Sequence, residues 1–492
     1  VADLVGRGHT PRGRRGTGPR PVAFLLGGSR GPIVSESAER RVPHPPPAVS
    51  AAALAVHRGL VEAGEESLLA GGAVRDLLLG VKPTDFDLAT SAPPERVAEL
   101  FPRTVLVGAQ FGVARVLVDE EEVEVATFRA DLEYRDGRRP VAVRYTNARE
   151  DAIRRDFTIN GLFYDLEREE VVDHVGGLDD LAAGLIRAIG DPDRRFGEDR
   201  LRLLRAIRFS VSLGFPIEAA TWEAILRHAA AVKDVSAERV RDELERMLVH
   251  PSRAEALRLL SRAELLRPLL PEVADMHGVA QPPEYHPEGD VFEHTALVLS
   301  HLEEPSFPLA LGALLHDIGK PPTFEVADRI RFNRHDALGA RMAEEVCERL
   351  RLSKRERDEV VFLVQRHLAF IAIDEMRPSR RTRLFDEEHF ESLLALCYAD
   401  CRGSHGDTSL PERAEEHYRA YLAAGPRREP ILRGRELMKI GYLPGPRLGE
   451  ILRAVEDARR DGELEGDETE PAIEWVRARY PLADERGEGG EP

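Results

Sequence analysis

Between residues 51 and 180 the rhythm of apolar positions changes several times; beyond Asp179 it keeps one period. An Ala/Leu/Val-rich run from Ala51 to about Ala63 predicts a helix. Ser67 to Ala70 predicts a short strand that runs into Gly71-Gly72. Val105 to Val107, Val113 to Val118 and Val123 to Phe128 are rich in β-branched residues, are divided by turn formers and predict further strands. From about Asp179 onward Leu, Ala and Arg recur at helical spacing, with breaks at Gln281-Pro282-Pro283 and near Gly425-Pro426. No fixed-period repeat is present. The fold class predicted is α+β: a small α/β head with a mixed sheet, then a long all-α body. Segment boundaries fall at 1–50, 51–190, 191–275, 276–420 and 421–492.

At 492 residues the chain exceeds a single core. Residues 1–50 stand apart in composition. Eight arginines there (Arg7, Arg12, Arg14, Arg15, Arg20, Arg30, Arg40 and Arg41) face only Asp3, Glu36 and Glu39, and Gly and Pro are frequent. This predicts a disordered basic arm, with order beginning near Ala51. The whole chain carries a net charge of −18, which excludes a general nucleic-acid coat protein but leaves room for a local basic track. Three cysteines without a CxxC pair, Cys347, Cys397 and Cys401, argue against a disulfide framework and for a reducing cytoplasm. No stretch approaches the ~18 apolar residues of a membrane span. Phe24 to Leu26 is too short for a secretory core.

The chemistry concentrates first in Leu68 to Thr90, LLAGGAVRDLLLGVKPTDFDLAT. Gly71 and Gly72 let the backbone bend and approach a ligand where a strand gives way to a helix. Backbone N–H groups at such a helix start attract phosphate, and Arg75, one turn in, adds a charged donor. Asp85 and Asp87 are two apart, so on an extended segment both carboxylates point to one face. Two oxygen anions side by side suit a hard cation such as Mg²⁺. A lone DxD is more often a solvated acidic pair; a GG turn at fixed distance before it makes the metal reading much stronger. A second constellation spans residues 284–401: His294, then His316-Asp317, His335, His367 and Asp400. Imidazole nitrogens and carboxylates together suit transition metals or Mg²⁺, although any one of these histidines alone reads better as a surface or capping residue.

The GG–DxD segment resembles the signature of the class II tRNA nucleotidyltransferase and bacterial poly(A) polymerase family. Three further stretches resemble that family's motifs in order: RRDFTING at Arg154 to Gly161, DHVGGLDDL at Asp173 to Leu181, and EDRLRLLRAIR at Glu198 to Arg208. The resemblance implies that Asp85 and Asp87 hold catalytic Mg²⁺. It implies that Gly71, Gly72 and Arg75 meet the triphosphate, that Arg155 contacts the nucleotide and that Asp156 helps hold the ribose. A helix cap or an ion pair among the arginines is an equally good reading of Asp156.

On a helix, Asp199, Arg202, Arg205 and Arg208 recur every three residues near one face. An aspartate accepts from an exocyclic amino group and an arginine donates to a ring nitrogen. Cytosine and adenine offer that pair of partners; uracil and guanine do not. The resemblance makes Asp199 and Arg202 the base-reading pair, with Arg205 and Arg208 supporting the triphosphate. The plain alternative is a charged, solvated helix face.

Phe128 to Thr146 supplies the polar, Gly-containing loop that CC-only members lack, and the chain ends acidic, at ADERGEGGEP, where poly(A) members carry a basic extension. The expectation is therefore addition of CCA, or of the terminal A, to tRNA from CTP and ATP, with no membrane or DNA partner. The order H…HD…H…H…D resembles the HD metal-dependent phosphohydrolase superfamily. It implies His294, His316, Asp317 and Asp400 as core ligands, His335 and His367 as ligands of a second metal (Mg, Mn, Ni or Co), and Lys320 as a phosphate partner. Gly434, Gly441, Pro444 and Gly445 match the RNA-gripping tail of the polymerase family. The rivals are a poly(A) polymerase of the same family and a phosphohydrolase with an RNA-binding head.

Overall fold

The computed structural model describes residues 39–482, apart from 46–47, 84, 107–111, 135–139, 285, 426–428, 465 and 467. The predicted basic arm up to residue 38 and the acidic end from 483 lie outside the described residues. The chain forms two compact units. One runs to Arg195 and takes back Leu213–Ala224; the other holds Phe196–Ser212 and the chain from Ile225 on.

The first unit is built on strands β1 (Arg40–Pro43), β2 (Ser67–Ala70), β3 (Asp87–Thr90), β4 (Thr104–Val105), β5 (Val113–Val118), β6 (Glu121–Thr127), β7 (Arg129–Tyr134), β8 (Pro140–Tyr145), β9 (Leu162–Asp165) and β10 (Glu170–Asp173). Eight of them form one sheet in the order β1-β10-β9-β2-β3-β6-β5-β4. It is mixed, as predicted: β3 and β6 run parallel and the other neighbours antiparallel. All four residues of β2 are buried, which explains a run without period-two alternation. The predicted first helix is present as Ala51–Glu62; Ser50 caps it by accepting from the Ala53 N–H, and Ala52, Ala53, Val56 and Leu60 are buried. Phe128, Phe163, Ala89 and Val172 share one core cluster with Leu68.

Three sequence expectations need correction here. Order begins before Ala51: Arg40–Pro43 is an edge strand paired with β10. Its two arginines are not loose arm charges, since Arg40 meets Asp179 at 2.7 Å and Arg41 pairs with Glu39 and Asp165. A four-residue strand, RRVP, is too short for its own pattern to reveal it. Second, the segment 128–146 is not a plain loop. Its flanks form the antiparallel hairpin β7–β8, with Arg129 opposite Tyr145 and Tyr134 opposite Pro140. In the sequence of β7, Ala130, Leu132 and Tyr134 alternate with Arg129, Asp131 and Glu133, a period of two. Third, the predicted strand at 105–107 is seen as Thr104–Val105, and residue 107 lies outside the described residues.

The second unit is helical, as the periodicity predicts, with one small exception: strands β11 (Phe324–Val326) and β12 (Ile330–Phe332) form a lone hairpin. Helix Phe307–Leu315 is buried on every side, in keeping with its nearly all-apolar sequence. Arg253 holds the ends of two helices. Its guanidinium donates to the carbonyls of Leu248 and Val249, which close helix Ala237–Leu248, and of Leu299 and Leu302, which close helix Val291–Ser300. The last helices, 434–439, 446–460 and 469–479, carry a small core of Leu437, Ile451, Val455 and Val476. No described helix is long and apolar enough to cross a membrane. The three cysteines are free and buried.

Candidate active sites

In the head, β2 delivers the chain to Gly71 with φ +67°, a left-handed conformation. A Cβ at Gly71 would also lie 2.7 Å from Arg155 Nη1, so the position excludes a side chain on two counts. Arg75 lies in the short helix Gly72–Leu78; its Nη1 donates to Asn160 Oδ1 at 2.8 Å and its Nε to Asp76. Arg155 donates to both Asp151 and the Asn160 carbonyl, and its guanidinium lies 4.9 Å from the Phe163 ring centre. Asn160 thus ties both arginines to the Gly71 turn.

Asp151 was not legible as a site residue. It is buried and accepts from Arg154 at Oδ1 and from Arg155 at Oδ2. Burial works against its charge, yet the two guanidinium groups win and hold its carboxyl below the usual range.

β3 pairs Asp87 with Ala70 on one side and with Glu124 of the parallel strand β6 on the other. Asp87 therefore sits one residue from the Gly71 turn, and Asp85 lies two residues ahead of it, before the strand begins. Both aspartates are exposed by surface area, but the crowding of Asp87 by protein, then the charges of Glu124 and Asp85, push its carboxyl up to about 6 against the pull of Arg155. A divalent cation would relieve the crowding of negative charge around Asp87, so the donor set fits Mg²⁺. Glu124 was missed in the sequence because only strand register brings it to Asp87. Asp156 is buried and accepts from the Phe157 N–H and from Asn160 Nδ2, beside the turn Thr158–Asn160.

The EDRLRLLRAIR stretch departs from one continuous helix. Helix Pro192–Glu198 ends before Asp199, and the next helix is Leu201–Leu213. Asp199 interrupts it because its carboxylate accepts from the Leu201 N–H, as a cap does. Both its oxygens also accept from Arg239, at 3.1 and 2.7 Å. Arg202 donates to Glu198 at 3.0 Å and Arg208 to the buried Glu243 at 2.6 Å. Arg205 and Arg208 both lie over the Phe209 ring. Asp199 and Arg202 therefore each have another protein partner, and Arg239, Glu198 and Glu243 were not foreseen.

In the second unit all six metal-ligand candidates converge. Asp317 lies between two groups. Its Oδ2 is 3.2 Å from His316 Nε2, 3.8 Å from His294 Nε2 and 2.6 Å from Lys320 Nζ. Its Oδ1 is 3.5 Å from His335 Nε2 and 3.8 Å from His367 Nε2. Asp400 Oδ1 lies 3.1 Å from His294 Nε2. Gly319 allows the His316-Asp317 turn to meet helix His335–Arg349, since a Cβ there would lie 2.1 Å from the His335 carbonyl.

The histidines are pre-set as ligands. His316, His335 and His367 each place Nδ1 against the carbonyl three residues back, of Ala313, Phe332 and Val364, at 2.7–2.9 Å. In a neutral imidazole an Nδ1–H given to a carbonyl leaves the Nε2 lone pair to a cation, and His335 Nε2 and His367 Nε2 lie 3.1 Å apart, a spacing that a shared proton or a cation would bridge. Burial pushes His367 down to about 4, which keeps it neutral. His294 is the opposite case: burial lowers it, but the Asp400 and Glu288 carboxylates at its two nitrogens outweigh this and raise it to about 9. A proton on His294 then stands where a cation would, and metal binding displaces such a proton.

The fit to a metal shows in orphaned atoms. His294 Nε2, His316 Nε2 and Asp317 Oδ2 are buried and make no hydrogen bond of good geometry among the described residues. His294, His316 and Asp400 form one group whose ligand atoms lie within 4.8 Å of one another; Asp317, His335 and His367 form another. Glu288, His286 and Gln281 were missed. Glu288 Oε1 is 2.8 Å from His294 Nδ1 and 3.0 Å from His286 Nδ1, and Gln281 Oε1 accepts from Lys320 at 2.6 Å. Nothing in their spacing marks them; the fold alone gathers them.

Known families match three stretches: the poly A polymerase head domain over residues 67–187, a probable RNA and SrmB binding site of polymerase A over 214–276, and the HD domain over 291–401. The CCA-adding enzyme of Bacillus velezensis is 44% identical over 218 residues, 44% of this chain and 55% of its own length. Poly(A) polymerase I of Escherichia coli is 42% identical over 236 residues, 46% of this chain and 51% of its own. The chain thus spans about half the length of these two relatives. The CCA-adding enzyme of Streptococcus pneumoniae is 32% identical over 417 residues, 84% of this chain and 94% of its own. The crystal structure of the Bacillus stearothermophilus CCA-adding enzyme in complex with CTP is similar over 87% of this chain and 97% of that one, with a TM-score of 0.67 and 28% identity.

Proposed function

The chain belongs to the class II tRNA nucleotidyltransferase and poly(A) polymerase family, and on that footing we propose that it adds CCA, or the terminal A, to the 3′ end of tRNA. The observation that carries the reading is the register that sets Asp87 opposite Ala70, the residue before the Gly71-Gly72 turn, with Glu124 opposite it on the next strand. Asp85 and Asp87 hold Mg²⁺, which supplies charge neutralisation at the phosphates and at the attacking hydroxyl. The 3′-hydroxyl oxygen of the tRNA bonds to the α-phosphorus of CTP or ATP. The bond from that phosphorus to the bridging oxygen breaks, pyrophosphate leaves, and the hydroxyl proton passes to solvent. Arg75 and Arg155 act by position: Asp76, Asp151 and Asn160 hold their guanidinium groups in place, so little ordering is left for the moment of reaction. Base choice is assigned to Asp199 and Arg202. Arg239 fixes the Asp199 carboxylate at both oxygens; the Leu201 N–H and Arg239 both donate to Oδ1, so Oδ2 is the oxygen with a second lone pair with which to accept from an amino group.

tRNA is favoured over poly(A) synthesis by extent of kinship. The CCA-adding relative from Streptococcus pneumoniae matches over 84% of this chain, the poly(A) polymerase over 46%. The test is to incubate the protein with tRNA lacking CCA, or ending in CC, with labelled CTP and ATP. Addition of three residues to the first and one to the second is expected. Long A tracts would move the chain to the poly(A) branch, and no addition would refute transfer.

The second centre supports a second reading, metal-dependent phosphoester hydrolysis, on the strength of its buried, orphaned ligand atoms. His294, His316, Asp317 and Asp400, with His335 and His367 beside them, would hold a divalent metal, Mg, Mn, Ni or Co, which would make a water more acidic. The water oxygen bonds to phosphorus, one P–O ester bond breaks, and the departing oxygen takes a proton. Lys320, held between Asp317 and Gln281, meets the phosphoryl oxygens. The phosphomonoesters and 2′,3′-cyclic phosphodiesters of RNA ends are the substrate class. We place both reactions in the cytoplasm, where three buried thiols stay reduced.

A further inference from the structure

The hairpin β11–β12 has no part in either reaction so far. Phe324 pairs with Phe332 across the strands and Val326 with Ile330. Cross-strand partners and residues two apart share a face, so these four apolar side chains line one side of the hairpin. Two-stranded hairpins ordinarily rest such a face on a core. Here Phe324 is 42% and Val326 65% exposed, with Ile330 and Phe332 half-buried.

The face is continuous with the metal centre. The Phe332 ring centre is 5.4 Å from Lys320 Nζ, which is itself 2.6 Å from Asp317 Oδ2. The Phe332 carbonyl accepts the Nδ1–H of His335 at 2.9 Å. The Phe324 ring stands 5.9 Å from that of Phe332, one ring further out. Moving outward from Asp317, the molecule therefore presents a carboxylate, a cation, an aromatic ring and then a second, exposed aromatic ring.

We propose that this hairpin is the base platform of the HD centre: Phe324 stacks the nucleobase of a ribonucleotide or RNA end whose phosphoryl group lies at Lys320 and Asp317. The proposal rests on the hydrolytic reading of that centre. A nucleotide is the ligand whose parts come in the same order, anionic phosphate first and a flat apolar base beyond it. An apolar peptide would use the rings but bring no anionic group to the cation and the carboxylate–histidine cluster behind them. Stacking on an aromatic side chain tolerates any base, which suits a platform without polar base-reading groups on its apolar face.

The test compares two five-membered cyclic phosphodiesters of which only the first carries a base, adenosine 2′,3′-cyclic monophosphate and glycerol 1,2-cyclic phosphate, on the full chain with Mn²⁺. Phe324→Ala is expected to raise KM for the adenosine compound about tenfold, with kcat little changed and the glycerol compound unaffected. Phe324→Trp is expected to lose fluorescence on addition of the adenosine compound and not of the glycerol compound, beyond any change in wild-type protein, whose own Trp222 and Trp475 serve as control. Hydrolysis with no change in KM and no quenching overturns the platform and leaves the hydrolytic reading standing. An absence of hydrolysis with Mn²⁺, Mg²⁺, Ni²⁺ and Co²⁺ removes the hydrolytic reading; the quenching then decides the platform, kept if the base quenches and overturned if it does not.

Discussion

At the scale of single residues, what a side chain does here depends on the partner that holds it. Arg202 donates to Glu198, and the base-reading role asks the same guanidinium to donate to a ring nitrogen. Arg202→Ala is expected to relax base choice, with UTP and GTP incorporated at rates nearer those of CTP and ATP; unchanged rejection in single-nucleotide assays would argue against base reading by this residue. Asp151 gives a stability prediction. Asp151→Asn leaves the Arg154 and Arg155 charges uncompensated beside a buried group and should cost about 3 kcal/mol, read from urea unfolding. The folded carboxyl lies below its ordinary value, so its stabilisation is present above the unfolded value, about 3.9, and is lost as pH falls through the folded one. The gap between wild type and Asp151→Asn should thus be constant near neutrality and shrink below about pH 4. Residues such as Asp85, Asp87, His316 and Asp317 were legible because their chemistry repeats at short sequence spacing. Glu124, Arg239 and Glu288 were not, because register and packing bring them to their partners.

At the scale of elements, readability followed the source of the signal and not length. The helix at 51–62 and strands β2, β5 and β6 followed their hydrophobic rhythm. β1, no shorter than β2, owes its existence to pairing with β10, and β7 alternates apolar with charged residues, so that its polar composition reads as a loop. Arg253 is a further case of a residue that acts on elements. Four carbonyls from two helix ends converge on one buried guanidinium, and in sequence it is simply one more arginine on a helix. Arg253→Met keeps the apolar stem and removes all five donors. It should destabilise the chain by about 3–5 kcal/mol, since several buried carbonyls lose their partner together. Thermal or urea unfolding of the variant measures this; a loss below about 1 kcal/mol would mean that water takes over the carbonyls.

At the scale of the whole molecule, two candidate metal sites lie in separate compact units and differ in construction. The head site is open, made of exposed carboxylates on a strand and the chain just before it, and oxygen donors of that kind suit a cation exchanged along with each nucleotide. The HD site is buried, with histidines whose tautomers are fixed by backbone carbonyls, which suits a metal that stays. Separate construction predicts separate loss. Asp87→Ala should reduce nucleotide addition at least ~10³-fold and leave phosphoester hydrolysis unchanged, because it removes charge stabilisation only at the transferring phosphate. Asp317→Ala should abolish hydrolysis and leave addition to tRNA intact, because Asp317 is the one carboxylate facing both histidine groups. Brief chelation followed by excess Mg²⁺ should restore addition at once, and hydrolysis only where Mg²⁺ itself satisfies the histidine site. If either substitution silenced both reactions while circular dichroism showed an intact fold, the two centres would have to be treated as one coupled machine.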